Sequence, residues 1–107
     1  MASSKEYLDY ILDCLSGLDE ISARRMMGEY LIYYRSKLVG GIYDDRFLVK
    51  NIPSAKKLLP DAAEELPYEG AKPMLLVENA EDRTFISQLF DTLYSELPAP
   101  KQRKKKN

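Results

Sequence analysis

The sequence predicts an α+β fold, with helices laid against an antiparallel sheet, and three observations carry that reading. The first is an unbroken sheet-forming stretch that opens at Met26-Met27-Gly28-Glu29-Tyr30-Leu31-Ile32-Tyr33-Tyr34 and runs on to Phe47-Leu48-Val49-Lys50. Two polar knots, Arg35-Ser36-Lys37 and Asp44-Asp45-Arg46, divide it into three apolar runs, the pattern of a β-meander. The second is a helical stripe near the N-terminus, and the third a cleaner one that ends at Leu97.

In chain order, Ser3 and Glu6 have the spacing of a capping box. Tyr7, Leu8, Ile11, Leu12, Leu15 and Leu18 then recur at helical intervals, predicting a helix over 4–16 that Gly17 stops in a left-handed conformation. Ile21-Ser22-Ala23-Arg24-Arg25-Met26-Met27 is ambiguous between strand and helix and is read as a short strand, because Gly28 follows at once. Strands are expected near 29–34, 38–43 and 46–50. Gly40-Gly41 in the second of these marks a bulge or a close backbone approach. It is no phosphate loop, since it neither opens a helix nor has the Walker lysine spacing.

Pro53 suits the first turn of a short helix that Pro60 ends. Pro60, Pro67, Gly70 and Pro73 make 60–73 a structured loop. Met74-Leu75-Leu76-Val77-Glu78 reads as a short strand, with Asn79 as the N-cap of the last helix and Glu81 and Asp82 near its positive end. Phe85, Ile86, Leu89, Phe90, Leu93, Tyr94 and Leu97 form the buried stripe of that helix. The expected whole is a two-layer fold of about five antiparallel strands with N- and C-terminal helices. It spans one domain over 1–98, followed by a basic tail at 99–107 expected to be disordered.

The composition excludes much. The 107 residues include no histidine and one cysteine, Cys14. Ser-His-Asp and Cys-His catalysis and an internal disulfide are thereby ruled out, and a cysteine-based zinc site is not expected. Cys14 reads as a small helix residue turned inward, with no histidine to activate it. No spacing of carboxylates, lysines or tyrosines marks an acid–base pair, so no enzyme, cofactor or metal is expected. No apolar run approaches the ~18 residues of a membrane span, and no signal-peptide core is seen. A cytoplasmic protein is the expectation.

The formal net charge of −1 conceals an asymmetry: residues 101–107 hold five of the 16 basic side chains and none of the 17 acidic ones. An acidic body with a basic tail does not suit a dedicated nucleic-acid surface. Lys101, Arg103, Lys104, Lys105 and Lys106 are expected to give at most weak, sequence-independent binding, with a salt slope no steeper than roughly −4.5.

With these residues laid out, the chain resembles the N-terminal domain of the TfoX/Sxy family over about residues 3–97. Arg25-Met26-Met27-Gly28-Glu29-Tyr30, Gly41-Ile42-Tyr43-Asp44-Asp45-Arg46-Phe47-Leu48-Val49-Lys50 and Tyr68-Glu69-Gly70-Ala71-Lys72-Pro73-Met74 carry the likeness. The resemblance implies a two-layer α/β fold similar to secretion chaperones, no established enzyme activity and no cofactor. The helical second domain of the family's competence regulators is missing from this sequence.

The expected function is therefore that of a small non-catalytic regulatory or protein-interaction module with a protein partner of unknown identity. The alternative is a nucleic-acid-associated protein that uses the tail. Candidate partner-binding residues are Arg24, Arg25, Tyr30, Tyr33, Lys50 and Lys72. Arg24 and Arg25 offer a face for an acidic or phosphate-bearing partner, against a plainer reading as a solvated edge beside two core methionines. Lys50, Glu69 and Lys72 offer a polar pocket, against a plainer reading as surface ion pairs. Tyr30-Leu31-Ile32-Tyr33-Tyr34 is apolar on both alternating faces. Helices cover one; a second copy in a homodimer, or the 60–73 loop, must cover the other.

Overall fold

A computed structural model describes residues 3–97. The helices are α1 (Lys5–Cys14), α2 (Pro53–Leu58) and α3 (Arg83–Glu96). The strands are β1 (Ile21–Met26), β2 (Glu29–Tyr34), β3 (Lys37–Tyr43), β4 (Arg46–Val49), β5 (Glu64–Glu65) and β6 (Met74–Leu76). They form one antiparallel sheet in the order β1-β2-β3-β4-β6-β5. The α+β fold and the meander are as expected. The sheet gains a sixth strand because Glu64-Glu65, inside the predicted loop, pairs with Leu75 and Met74.

Three two-residue turns build the meander. Met27-Gly28, Arg35-Ser36 and Asp44-Asp45 each place two consecutive residues at positive φ, between 51° and 85°. Such turns match the right-handed twist of the flanking strands. Only one of the six residues is glycine, so the others carry a steric cost that the strand pairing offsets. Ser36→Gly is expected to stabilise the protein by about 1 kcal/mol, read as a rise in the urea midpoint with the slope unchanged.

Strand alternation sorts side chains between the two faces. Ile32, Tyr34, Phe47, Val49 and Leu75 turn toward the helices and meet Leu8 and Ile11 of α1 and Ile86, Leu89, Phe90 and Leu93 of α3 in the main core. Cys14 is buried there and free, as its reading as an inward helix residue anticipates. Leu31, Tyr43 and Leu48 turn the other way and form a second, smaller cluster.

At Gly40 the expected bulge and close approach are both present. Ile32 pairs with Gly40 but Tyr33 pairs with Leu38, which leaves Val39 as the extra residue. A Cβ on Gly40 would lie 2.8 Å from Val49 Cα and would also strike the carbonyl oxygen of Leu48.

The element ends differ from expectation, each for a local reason. The cap of α1 is Ser4, whose Oγ accepts from Tyr7 N at 3.1 Å, and not Ser3. Ser3 is drawn instead to Glu29 Oε1, to which its Oγ donates at 2.6 Å. At the other end Leu15 caps the helix with N–H bonds back to Ile11 and Leu12, so Gly17 is neither the cap nor left-handed. The α3 N-cap is Asp82, accepting from Phe85 N at 3.1 Å; Asn79 lies in the preceding turn, where its carbonyl accepts from Asp82 N. Met26 and Met27 are exposed, 47% and 94%, and do not join the core, because β1 is an edge strand and Met27 sits in the turn.

Two helix ends are completed from a distance. No basic residue stands in the last turn of α3, but Lys37 Nζ donates to the carbonyls of Tyr94 at 2.7 Å and Leu97 at 2.8 Å. It also lies 4.0 Å from the centre of the Tyr94 ring. A cation is favourable there because the carbonyls at a helix C-terminus carry partial negative charge. Lys37→Met is expected to lower stability by about 1–2 kcal/mol, measured by thermal denaturation.

The second distant cap is at α2, whose own N-cap, Ile52, has no side-chain acceptor. Glu96 replaces it, accepting from Ser54 Oγ and, at 3.0 Å, from Ser54 N. These bonds, the hydroxyl's first, hold the Glu96 carboxyl below its ordinary value of 4.5. A lowered folded-state value means that the unfolded chain binds the proton more readily. This contribution to stability is thus complete above the ordinary carboxylate value and lost as pH falls through the folded-state one. Glu96→Gln is expected to flatten that part of the stability–pH curve, measured by melts from about pH 3 to 7.

Candidate functional site

On the sheet face away from the helices, β2, β3 and the 66–73 segment enclose a groove of about 420 Å³. Leu31, Leu38, Tyr43 and Met74 supply its apolar floor. Pro67, Tyr68, Ala71 and Pro73 form the opposite wall, and Met26 lies at the β1 end. The wall is held by Arg46, which donates to Glu65 Oε1 at 2.6 Å, to the Leu66 carbonyl at 3.2 Å and to the Tyr43 carbonyl at 3.1 Å. Tyr43 and Tyr68 pack against each other at one side of the groove, with ring centres 6.4 Å apart and planes tilted by 58°.

Lys50 and Lys72 both line this groove; Glu69 is exposed and does not line it. No acidic residue is among the lining. Among the described residues the ion pairs are Lys5–Asp9, Arg46–Glu65, Lys56–Glu64 and Arg83–Asp13, and neither groove lysine takes part in them. Burial holds the Tyr43 phenol above its ordinary value of 10.0, with smaller contributions from Tyr68, Glu29 and Tyr33. It therefore stays neutral at physiological pH and offers an apolar ring with a hydroxyl.

The other sequence-picked residues are dispersed. Arg24 and Tyr33 meet in a shallow depression with Ser22, Ala23 and Ser36, on the same sheet face beside β1. Arg25 is exposed on β1, opposite Tyr30. Tyr30 is half-buried against the main core, on the helix side. Of the tyrosine-rich strand, then, Leu31 lies beneath the 66–73 wall, whereas Ile32 and Tyr34 belong to the helix-covered core. Lys101, Arg103, Lys104, Lys105 and Lys106 lie outside the described residues.

Tyr43, Tyr68 and Met26 belong to the stretches that carry the resemblance, but none is a partner-binding candidate from the sequence. The proline spacing of 60–73 signalled a loop with structure, but not which strand it would cross. Among the described residues no group of three or more histidine, cysteine, aspartate or glutamate side chains is placed to hold a metal. No helix among them is long and apolar enough to cross a membrane.

An uncharacterized 12.7 kDa protein in the trpE 5′ region of Spirochaeta aurantia is 30% identical over 107 residues, spanning 99% of this chain and 93% of the relative. The chain belongs to the family of that protein. No family model matches the sequence, and no solved structure matches it. The likeness extends over the sheet, all three helices and the 66–73 wall alike, since it covers nearly the whole of both chains.

Proposed function

We propose that this chain is a small non-catalytic, cytoplasmic regulatory or protein-interaction module, akin to the TfoX N-terminal domain, which receives a partner strand along β1. The observation that carries the reading is the open edge of the sheet. β1 stands at the end of the strand order, pairs only with β2 among the described residues, and is exposed at every position after Ile21. An unpaired edge presents a row of backbone donors and acceptors, which an extended segment of another protein satisfies by adding a strand.

Arg24 and Arg25 give the edge its specificity. Both are exposed, and neither enters an ion pair among the described residues. A partner strand bearing acidic side chains complements them. Pairing of two β1 edges in the register that sets Arg24 opposite Arg24 is opposed by like charge. The order of elements, one helix, four antiparallel strands, a short helix, two further strands and a final long helix, is compatible with the kinship with the TfoX domain.

A photo-reactive amino acid at Ser22, introduced in the native cell, is expected to trap a protein of defined mass. Arg24→Glu with Arg25→Glu should abolish the adduct while leaving the melting temperature within a few degrees. The same adducts from a probe at Lys57, on α2, would defeat the proposal.

A further inference from the structure

We infer that the groove bounded by the packed Tyr43–Tyr68 pair, Leu31, Leu38, Lys50 and Lys72 is a binding site for a small amphipathic anion, an apolar chain or ring ending in a carboxylate. This is independent of the β1 reading, because the groove's charged residues and its wall belong to other elements.

Three features on the same sheet face converge on that chemistry. The volume of about 420 Å³ falls within the range of small-molecule sites. Leu31, Leu38 and the paired Tyr43 and Tyr68 rings present an apolar lining, and Tyr68 keeps 63% of its surface exposed to a ligand. Lys50 and Lys72 then supply two cations to a lining that contains no acid. That local excess of positive charge stands out in a chain whose first 100 residues carry 17 acidic and 11 basic side chains.

Charge also selects among occupants. The segment 101–107 of this same chain holds five cations and no acid, so the groove lysines repel it. A neutral apolar ligand would gain nothing from the two ammonium groups. A carboxylate meeting a lysine ammonium gains a charge-assisted hydrogen bond while its apolar body fills the space over Leu31 and Tyr43. A phosphate monoester without an apolar body would meet the lysines but leave the tyrosine-lined interior empty.

The test uses the full chain with decanoate and 2-naphthoate as probes and their primary amides as uncharged counterparts. Titration followed by NMR is expected to shift the signals of Leu31, Tyr43, Ala71 and Met74 with at least one carboxylate. The amides, and the carboxylates with Lys50→Met/Lys72→Met, should bind about tenfold more weakly or worse. These methionines keep the apolar stems, and unchanged melting of the double variant shows that the fold is intact. Equal binding of acid and amide, shifts that map away from the groove, or no saturable binding of either carboxylate would each overturn the assignment. So would carboxylate binding that the double variant retains in full.

Discussion

Gly40→Ala is expected to cost at least about 3 kcal/mol, enough to leave much of the protein unfolded at moderate temperature. The added methyl would meet Val49 Cα at 2.8 Å and the Leu48 carbonyl oxygen, which are backbone atoms of the neighbouring strand. A flexible side chain can swing aside, but a paired strand moves only by breaking its ladder. Gly40 pairs with Val49 on one side and Ile32 on the other, so the strain falls at the centre of the sheet. Gly17→Ala is the control: its nearest heavy atom is the end of the Arg83 side chain at 4.0 Å, and its backbone is not left-handed. Urea denaturation of both variants is expected to separate them widely, with the Gly17 variant close to wild type. A Gly40→Ala protein of near-native midpoint would show that β3 and β4 can spread apart at little cost.

The second large effect is expected at Glu29, where one carboxylate oxygen joins three parts of the chain. Glu29 Oε1 accepts from Ser3 N at 3.1 Å, Ser3 Oγ at 2.6 Å and Asp44 N at 3.1 Å. Ser3 Oγ in turn accepts from Asp45 N at 3.0 Å, and Asp45 Oδ1 accepts from Ser4 N at 2.8 Å at the start of α1. The β2 strand, the β3–β4 turn and the entry to α1 thus share one hydrogen-bonded cluster. Glu29→Ala takes the acceptor from three donors around the buried Ser3, and a loss of about 2–3 kcal/mol is expected. Asp45→Ala should cost less, since its bonds are exposed. In hydrogen exchange, faster opening of the first turn of α1 and of the β3–β4 turn should accompany the Glu29 change. A loss confined to one of these segments would mean that they are held independently.

The candidate groove shows why a site of this kind is hard to read from a sequence. Lys50 and Lys72 stand 22 positions apart, and nothing in that separation establishes contact. Their meeting depends on where the 66–73 segment crosses the sheet, and that path is fixed by Arg46, which reaches Glu65 and Leu66 from β4. Arg46 itself sits in a polar knot whose turn function was visible but whose long-range grip was not. Tyr68 was hidden for the same reason, as one aromatic residue within a proline-rich stretch.

Local patterns by themselves determined the α+β class, the β2–β3 and β3–β4 hairpins, α3 with its buried stripe and the tight approach at Gly40. These follow from side-chain periodicity and from the sterics of a few backbone positions, which act over a handful of residues. Only the tertiary structure decided where helices begin and end. Ser3 gave up a cap for a bond to Glu29, and both α2 and α3 were capped by residues remote in sequence, Glu96 and Lys37. It also decided that Leu31 lies under a loop while its neighbours Ile32 and Tyr34 lie under helices. Alternation shows that adjacent residues part company between the two faces of a sheet. Which face the helices take is settled by the packing of the whole chain.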